Sequence, residues 1–321
     1  MHMALVIREA DVKSLMNMQD AVTWVEEALR AHGQGKARNV PRSRVKLPKA
    51  TLHVLPAADL EQGVVGLKFY TTPKGGERFL VVLFSAEDGR LLCLLEADYM
   101  GVMRTGAASG VATKYMATAD ADVLALFGTG KQARGQLLAV AAVKKLKQVR
   151  VYSRDPDRRK QFAEGMEAQA GVEVVPKESA EEALDSALIV TTITSSREPL
   201  FPASAIQPGT HINAAGSNSL LRRELDEELV RGATVIAVDS RQQSKVESGD
   251  LLIPAERGWL DWDLLPELSE IVAGRQPGRL SPSDITIFDS HGLGLEDVAV
   301  AAHVYQRAKE RGLGQEIDLL F

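Results

Sequence analysis

The chain has 321 residues, 45% hydrophobic and 25% charged, which is enough apolar material for two domains or one elaborated domain. Its 38 Lys and Arg stand against 43 Asp and Glu, a formal net charge of -5, so no basic excess exists to neutralise a phosphate backbone and a nucleic-acid partner is not expected. No apolar run approaches the roughly 18 residues of a membrane helix, so no membrane partner is expected either. The start MHMALVIREADV lacks the basic region and long apolar core of a secretion signal, and its Met-His-Met reads as a cloning remnant. Cys93, the one cysteine, cannot form an internal disulfide and sits in LLCLLEA as a buried strand thiol, which suits a cytoplasmic protein. The histidines (His2, His32, His53, His211, His291, His303) include no pair at i, i+4 and have no Cys partner, so no metal site is expected.

In chain order, a helix opening at an Asp20 N-cap and closing near Gly33 is followed by short strands around 52–55, 64–71, 79–85 and 91–96. From about Asp122 strands and helices alternate: DVLALF, a helix from Lys131, VRVYS, a helix from Asp155, VEVV, and a helix from Ser179. LIVTTIT, HINAAGS, a helix from Glu224 and TVIAVDS complete the series. That alternation implies a parallel sheet covered on both faces. A last helix from Leu295 to about Arg311 carries Leu295, Val298, Ala302, Tyr305 and Ala308 on one face and is expected to pack back on the first part. The fold class is therefore α/β: a doubly wound Rossmann domain over 118–295 and a discontinuous α+β domain over 1–117, completed by 296–321.

The stretch LALFGTGKQARGQ sets Gly128, Gly130 and Ala133 as G-x-G-x-x-A between a strand and a helix. Small residues there permit a tight turn, close approach of a pyrophosphate and close helix packing, so a dinucleotide is the expected ligand. The next strand ends VYSRDPDRR, placing Ser153 where NAD binders carry an acid, with Arg154, Arg158 and Arg159 beside it. A hydroxyl and guanidinium groups suit a 2′-phosphate, which favours NADP(H); Asp155 as a displaced acid would favour NAD(H), and the arginines also suit a solvated helix start.

Six ordered stretches, GLKFYT, MRTGAASGVATKYMA, GTGKQARGQ, TTITSSREPLF, HINAAGSNSLLRRELD and DSHGLGLEDVAVA, resemble the ornithine cyclodeaminase and mu-crystallin family. The resemblance covers nearly the whole chain. It implies an N-terminal substrate and dimerisation domain, a homodimer, a nicotinamide cofactor and α-imino or α-amino acid substrates. By the same resemblance Lys68 is the active-site lysine, although a strand lysine is ordinarily a surface charge. Arg104 would grip the substrate carboxylate, or else cap a helix start beside an acid. The second carboxylate arginine falls on Arg42 or Arg44, with Arg44 preferred. Thr129 and Gln132 in the glycine turn, and Thr192, Gly216, Asn218 and Gly292 at later turns, are the remaining expected cofactor contacts. Gly292 and Gly294 would allow close approach, Asp297 would fix the last helix, His53 reads as structural, and His291 reads as a proton donor or, as single histidines in such turns usually are, as structural.

One departure is informative. The cyclodeaminase and alanine dehydrogenase branches are expected to carry an aspartate where this chain has Asn218, and an asparagine cannot act as a carboxylate base. A reductase needs only a bound imine, a proton source and a hydride. The expected activity is therefore NAD(P)H-dependent reduction of ketimines or cyclic imino acids, with ornithine cyclodeaminase, alanine dehydrogenase and a non-catalytic crystallin-like binder as alternatives.

Overall fold

A computed structural model describes residues 3–72 and 78–318, so Met1 and His2 of the expected cloning remnant lie outside the described residues. The chain runs β1 (Ala4–Ile7), α1 (Glu9–Leu15), α2 (Met18–Gly33), β2 (Ala37–Asn39), β3 (Ser43–Lys46), β4 (Thr51–Asp59), β5 (Val64–Thr71), β6 (Arg78–Ser85), β7 (Leu91–Glu96) and α3 (Asp98–Met116). It continues through β8 (Val123–Phe127), α4 (Lys131–Val143), β9 (Gln148–Tyr152), α5 (Pro156–Ala170), β10 (Glu173–Pro176), α6 (Ala180–Leu184), β11 (Ile189–Thr192) and β12 (His211–Ala214). The remainder is α7 (Glu227–Gly232), β13 (Val235–Val238), α8 (Arg241–Glu247), α9 (Gly249–Glu256), α10 (Leu268–Val272), β14 (Thr286–Asp289), α11 (Gly294–Arg311) and β15 (Gln315–Ile317). Two compact units result, Met1–Arg104 with Gly292–Phe321, and Thr105–His291. The first division falls inside α3, where the sequence suggested 117/118.

In the first unit the sheet order is β15-β1-β7-β6-β5-β4-β2, with β3 also paired to β4. Strands β4 to β7 form an antiparallel meander whose alternation sets one face inward: His53, Leu55, Ala57 and Asp59 on β4, and Val64, Gly66, Lys68 and Tyr70 on β5. Helix α11 packs on β4, β5 and β6 and on α2, and all five apolar positions expected on its face are buried. Its start lies so near β4 that a Cβ at Gly294 would meet the Leu55 carbonyl at 2.5 Å. Helix α2 is capped by Asn17, not Asp20. The Asn17 side chain accepts from the Asp20 N–H, while the Asp20 carboxylate accepts from the Asn17 N–H, so Asp20 is the third helical residue of a reciprocal box.

The second unit is built on a parallel seven-stranded sheet, order β10-β9-β8-β11-β12-β14-β13. Chain order reverses across β8 and β11, the switch point at which open α/β sheets bind ligands beyond the carboxyl ends of their strands. Strand β14 was not foreseen; it fills the place between β12 and β13. Helix α7 begins at Glu227 behind an Asp226 cap rather than at Glu224, because the Glu224 and Leu225 N–H groups donate to Asp250 instead of entering a helix. The glycines of RTGAASG also have a packing role. A Cβ at Gly106 would lie 2.2 Å from the Gly135 carbonyl of α4, so α3 and α4 touch backbone to backbone. Among the described residues no helix is long and apolar enough to cross a membrane.

Candidate active site

On β5 the inward alternation that buries Val64, Gly66 and Tyr70 also buries Lys68, which is 4% exposed. A charge there needs a partner. Helix α11 supplies it: Lys68 Nζ donates to Asp297 Oδ1 at 3.0 Å, and the same oxygen is 3.0 Å from Arg104 Nε. Arg104 Nη1 donates to Glu296 Oε2 at 2.6 Å. Lys68, Arg104, Glu296 and Asp297 are all buried, and Asp297 Oδ2 has no hydrogen-bond donor among the described residues. Phe79 places its ring centre 4.8 Å from Lys68 Nζ. Burial pushes the Lys68 ammonium down to about 8, and the Arg104 and Arg42 charges act the same way against the raising effect of Asp297.

Arg42 and Arg44 separate here. Arg42 is buried, donates from Nη2 to the Gly292 carbonyl at 3.4 Å, and bears electrostatically on Lys68. Arg44 lies on β3 opposite His53 and is half-buried. His53 stacks on Tyr70 with ring centres 4.4 Å apart, and burial followed by the two arginine charges pushes its imidazole down to about 4, so it is neutral. Gly292, expected beside the cofactor, lies against Arg104: it has φ +79, where other residues are strained, and a Cβ there would meet Arg104 Nη1 at 2.6 Å.

In the second unit the glycine turn follows β8. Gly128 has φ +114 and a Cβ there would meet the Ile193 carbonyl at 2.4 Å, so the turn requires glycine. Gly130 is the N-cap of α4 and provides no side-chain cap, leaving the first-turn N–H groups directed at the turn, while Ala133 is fully buried against the sheet. Gln132 is half-buried, and its Oε1 has no hydrogen-bond donor among the described residues. These features fit a pyrophosphate.

At the end of β9, Thr129 Oγ1 donates to Ser153 Oγ at 3.4 Å. Asp155 is exposed, caps α5 and accepts from the Arg158 N–H at 3.1 Å. Arg158 pairs with Asp155 at 3.4 Å, and Arg159 is fastened inward to the Ser153 carbonyl and Glu178. Arg154 is exposed and has no ion pair among the described residues.

The Thr192 hydroxyl donates to Glu224 Oε2 at 2.8 Å, and the Gly216 N–H donates to the same oxygen at 2.9 Å, while Asn218 is exposed. Sequence reasoning missed Glu224, Glu296 and the charge partnership of Asp297. The last was signalled by two adjacent acids opening a helix otherwise buried along its first half.

The two units thus define a dinucleotide-binding sheet and a buried cationic cluster that suits an anionic substrate. The chain belongs to the ornithine cyclodeaminase/mu-crystallin family, whose model matches residues 2–312. It is 33% identical to a Delta(1)-pyrroline-2-carboxylate reductase from Bacillus cereus, over 98% of this chain and 99% of that one. The Thermococcus litoralis Delta(1)-pyrroline-2-carboxylate reductase, solved in complex with NADH and L-proline, superposes with a TM-score of 0.92 at 34% identity, covering 98% and 100% of the two chains. An archaeal alanine dehydrogenase dimer with bound NAD superposes with a TM-score of 0.93 at 34% identity, covering 99% and 100%.

Proposed function

We propose that this protein is an NAD(P)H-dependent reductase of ketimine carboxylates, of the pyrroline- or piperideine-2-carboxylate kind. The observation that carries the reading is the buried Lys68–Asp297–Arg104 cluster. Three cations, Lys68, Arg104 and Arg42, face two carboxylates, Glu296 and Asp297, so the cluster as a whole is cationic and suits a substrate bearing one carboxylate. Arg104 and Arg42 take that carboxylate; the burial of Arg42 beside Gly292 supports it over Arg44. Lys68, kept protonated near neutral pH by Asp297, donates a proton to the imine nitrogen, and positive charge on nitrogen makes the imine carbon the better hydride acceptor. The cofactor supplies the hydride. Burial around Lys68 and Asp297 keeps water from the imine, which would otherwise hydrolyse.

The turn Gly128, Thr129, Gly130 with Gln132 and Ala133 would hold the pyrophosphate. For the 2′-position we infer NADP(H) in preference to NAD(H): Arg154 is exposed beside Ser153, and the neighbouring acid, Asp155, is committed to capping α5. The buried Cys93 thiol, pushed up to about 12 by its apolar setting, suits a reducing cytoplasm.

The test is cofactor oxidation followed at 340 nm with piperideine-2-carboxylate, pyrroline-2-carboxylate, and pyruvate plus methylamine, each with NADPH and with NADH, beside L-ornithine with NAD⁺. Imine-dependent consumption, faster with NADPH at low concentration, is the expected result. Proline formed from ornithine, with no imine reduced, would overturn it.

A homodimer is proposed through the outer face of the first unit's sheet, where Val54, Leu67, Phe69, Leu80 and Val82 stay half-buried and Val65 is exposed. The dimeric state of the archaeal alanine dehydrogenase supports a second copy as the occupant. Sedimentation equilibrium is expected to give two chains per particle and Val82→Glu one; a monomeric wild type refutes the assignment.

A further inference from the structure

We infer that Glu224 is a positioning residue, one carboxylate that fixes the two strand-end loops on which nicotinamide-cofactor binding depends; this rests on the proposed NAD(P)H-dependent reading. Oε2 of Glu224 accepts from the Thr192 hydroxyl at 2.8 Å and from the Gly216 N–H at 2.9 Å, and Oε1 accepts from the Thr194 N–H at 2.6 Å. Thr192 ends β11, Thr194 lies two residues beyond it and Gly216 follows β12, so a single side chain ties together the carboxyl ends of adjacent parallel strands beside the switch point. The fit is close on both sides. A Cβ at Gly216 would lie 2.4 Å from either carboxylate oxygen, and Glu224 is itself held by Asp250, whose Oδ1 accepts from the Glu224 and Leu225 N–H groups at 2.6 and 2.7 Å. Glu224 is 0% exposed, so it acts on a ligand only through these loops.

The donors also explain the residue type. Two backbone N–H groups meet two different oxygens, so a glutamine, whichever way it turned, would set its NH₂ against one of them. Only an ionised carboxylate satisfies both. The charged groups nearest it are acidic: Asp250 bears directly on Glu224, and Asp289 interacts with it from β14 with Asp239 behind; the one base in this set, Arg223, acts on Asp250. Burial, followed by the Asp250 charge, raises Glu224 to about 7 against the lowering effect of its hydrogen bonds. Above that pH the carboxylate holds the loops; below it, protonation turns an acceptor into a donor facing donors.

The experiment is titration of the full-length enzyme with NADH and NADPH by nucleotide fluorescence from pH 6 to 8.5, together with steady-state kinetics. Glu224→Gln is expected to raise the nucleotide Kd and KM about tenfold or more while the imine KM changes less than about twofold, and to remove the weakening of binding expected of the wild type toward pH 6. Thr192→Val is expected to raise Kd about threefold, with Thr192→Ser, which keeps the hydroxyl, closer to wild type. If Glu224→Gln does not fold, the two Thr192 variants decide. Equal Kd values for Val and Ser, or a folded Glu224→Gln that binds nucleotide as the wild type does across the pH range, would overturn the inference. A wild type that binds neither nucleotide would refute the reductase reading instead.

Discussion

Lys68→Met is expected to lower kcat/KM for imine reduction about 1,000-fold while leaving the Kd for NADH or NADPH within about twofold of wild type, because proton donation to a reacting group is ordinarily worth 10²–10⁴ in rate. Methionine keeps most of the length of the lysine stem and removes only the ammonium. The fold tolerates the change for a definite reason: Asp297 Oδ1 loses Lys68 but keeps Arg104 at 3.0 Å, so no carboxylate is left as an isolated buried charge. The glycine turn and the Ser153–Arg154 segment proposed for the nucleotide belong to the unit Thr105–His291, and Lys68 belongs to the other. Stopped-flow measurement of the hydride step and fluorescence titration of the cofactor separate the two quantities. A variant that still reduces the imine within tenfold of wild type would remove Lys68 as proton donor and leave the cationic cluster a role in binding alone.

How far this site could be read from the sequence depended on how local its determinants are. Gly128 was legible because a left-handed turn between strand and helix leaves a glycine at a fixed place in the chain. The β5 span was legible because alternation of inward and outward residues is written into eight consecutive positions. Lys68 was marked only by family resemblance, and although two adjacent acids opening α11 were visible, nothing in the sequence tied them to it. Asp297 lies 229 residues further on, and nothing in the periodicity of α11 says which strand its first turn meets. Arg42 and Arg44 are two residues apart, a spacing that presents both to one side of an extended segment, so pattern could not choose between them; burial and the contact with Gly292 favour Arg42. Glu224 was misplaced at a helix start for a similar reason. An acid followed by Leu-Asp-Glu-Glu looks like a first helical turn until Asp250, from another helix, takes its N–H groups. Strand β14 is four residues long and was hidden within the approach to the last helix.

Asp297→Asn tests the electrostatics of the same cluster from the opposite partner. In the wild type, Lys68 stands at about 8: burial and the neighbouring guanidinium groups lower it, and the Asp297 carboxylate raises it. With protonated Lys68 as the proposed proton donor, imine reduction is expected to be full at neutral pH and to fall as pH rises through about 8. Asparagine keeps the shape and one acceptor oxygen but removes the negative charge. The remaining influences all lower the lysine, and the basic limb of the kcat profile therefore moves to lower pH, by about one unit or more. The substitution also leaves Lys68 buried with its counter-charge gone and Arg104 with Glu296 alone, a loss of about 3 kcal/mol in denaturant unfolding. The two readouts point in distinguishable directions. A limb that stays where it was, in a variant destabilised as expected, would mean that the group titrating near 8 is not Lys68, and that the proton reaching the imine comes from another source. A limb displaced to lower pH, with the nucleotide Kd unchanged, assigns the proton to the lysine and makes Asp297 the residue that keeps it charged at the pH where the cell would use it.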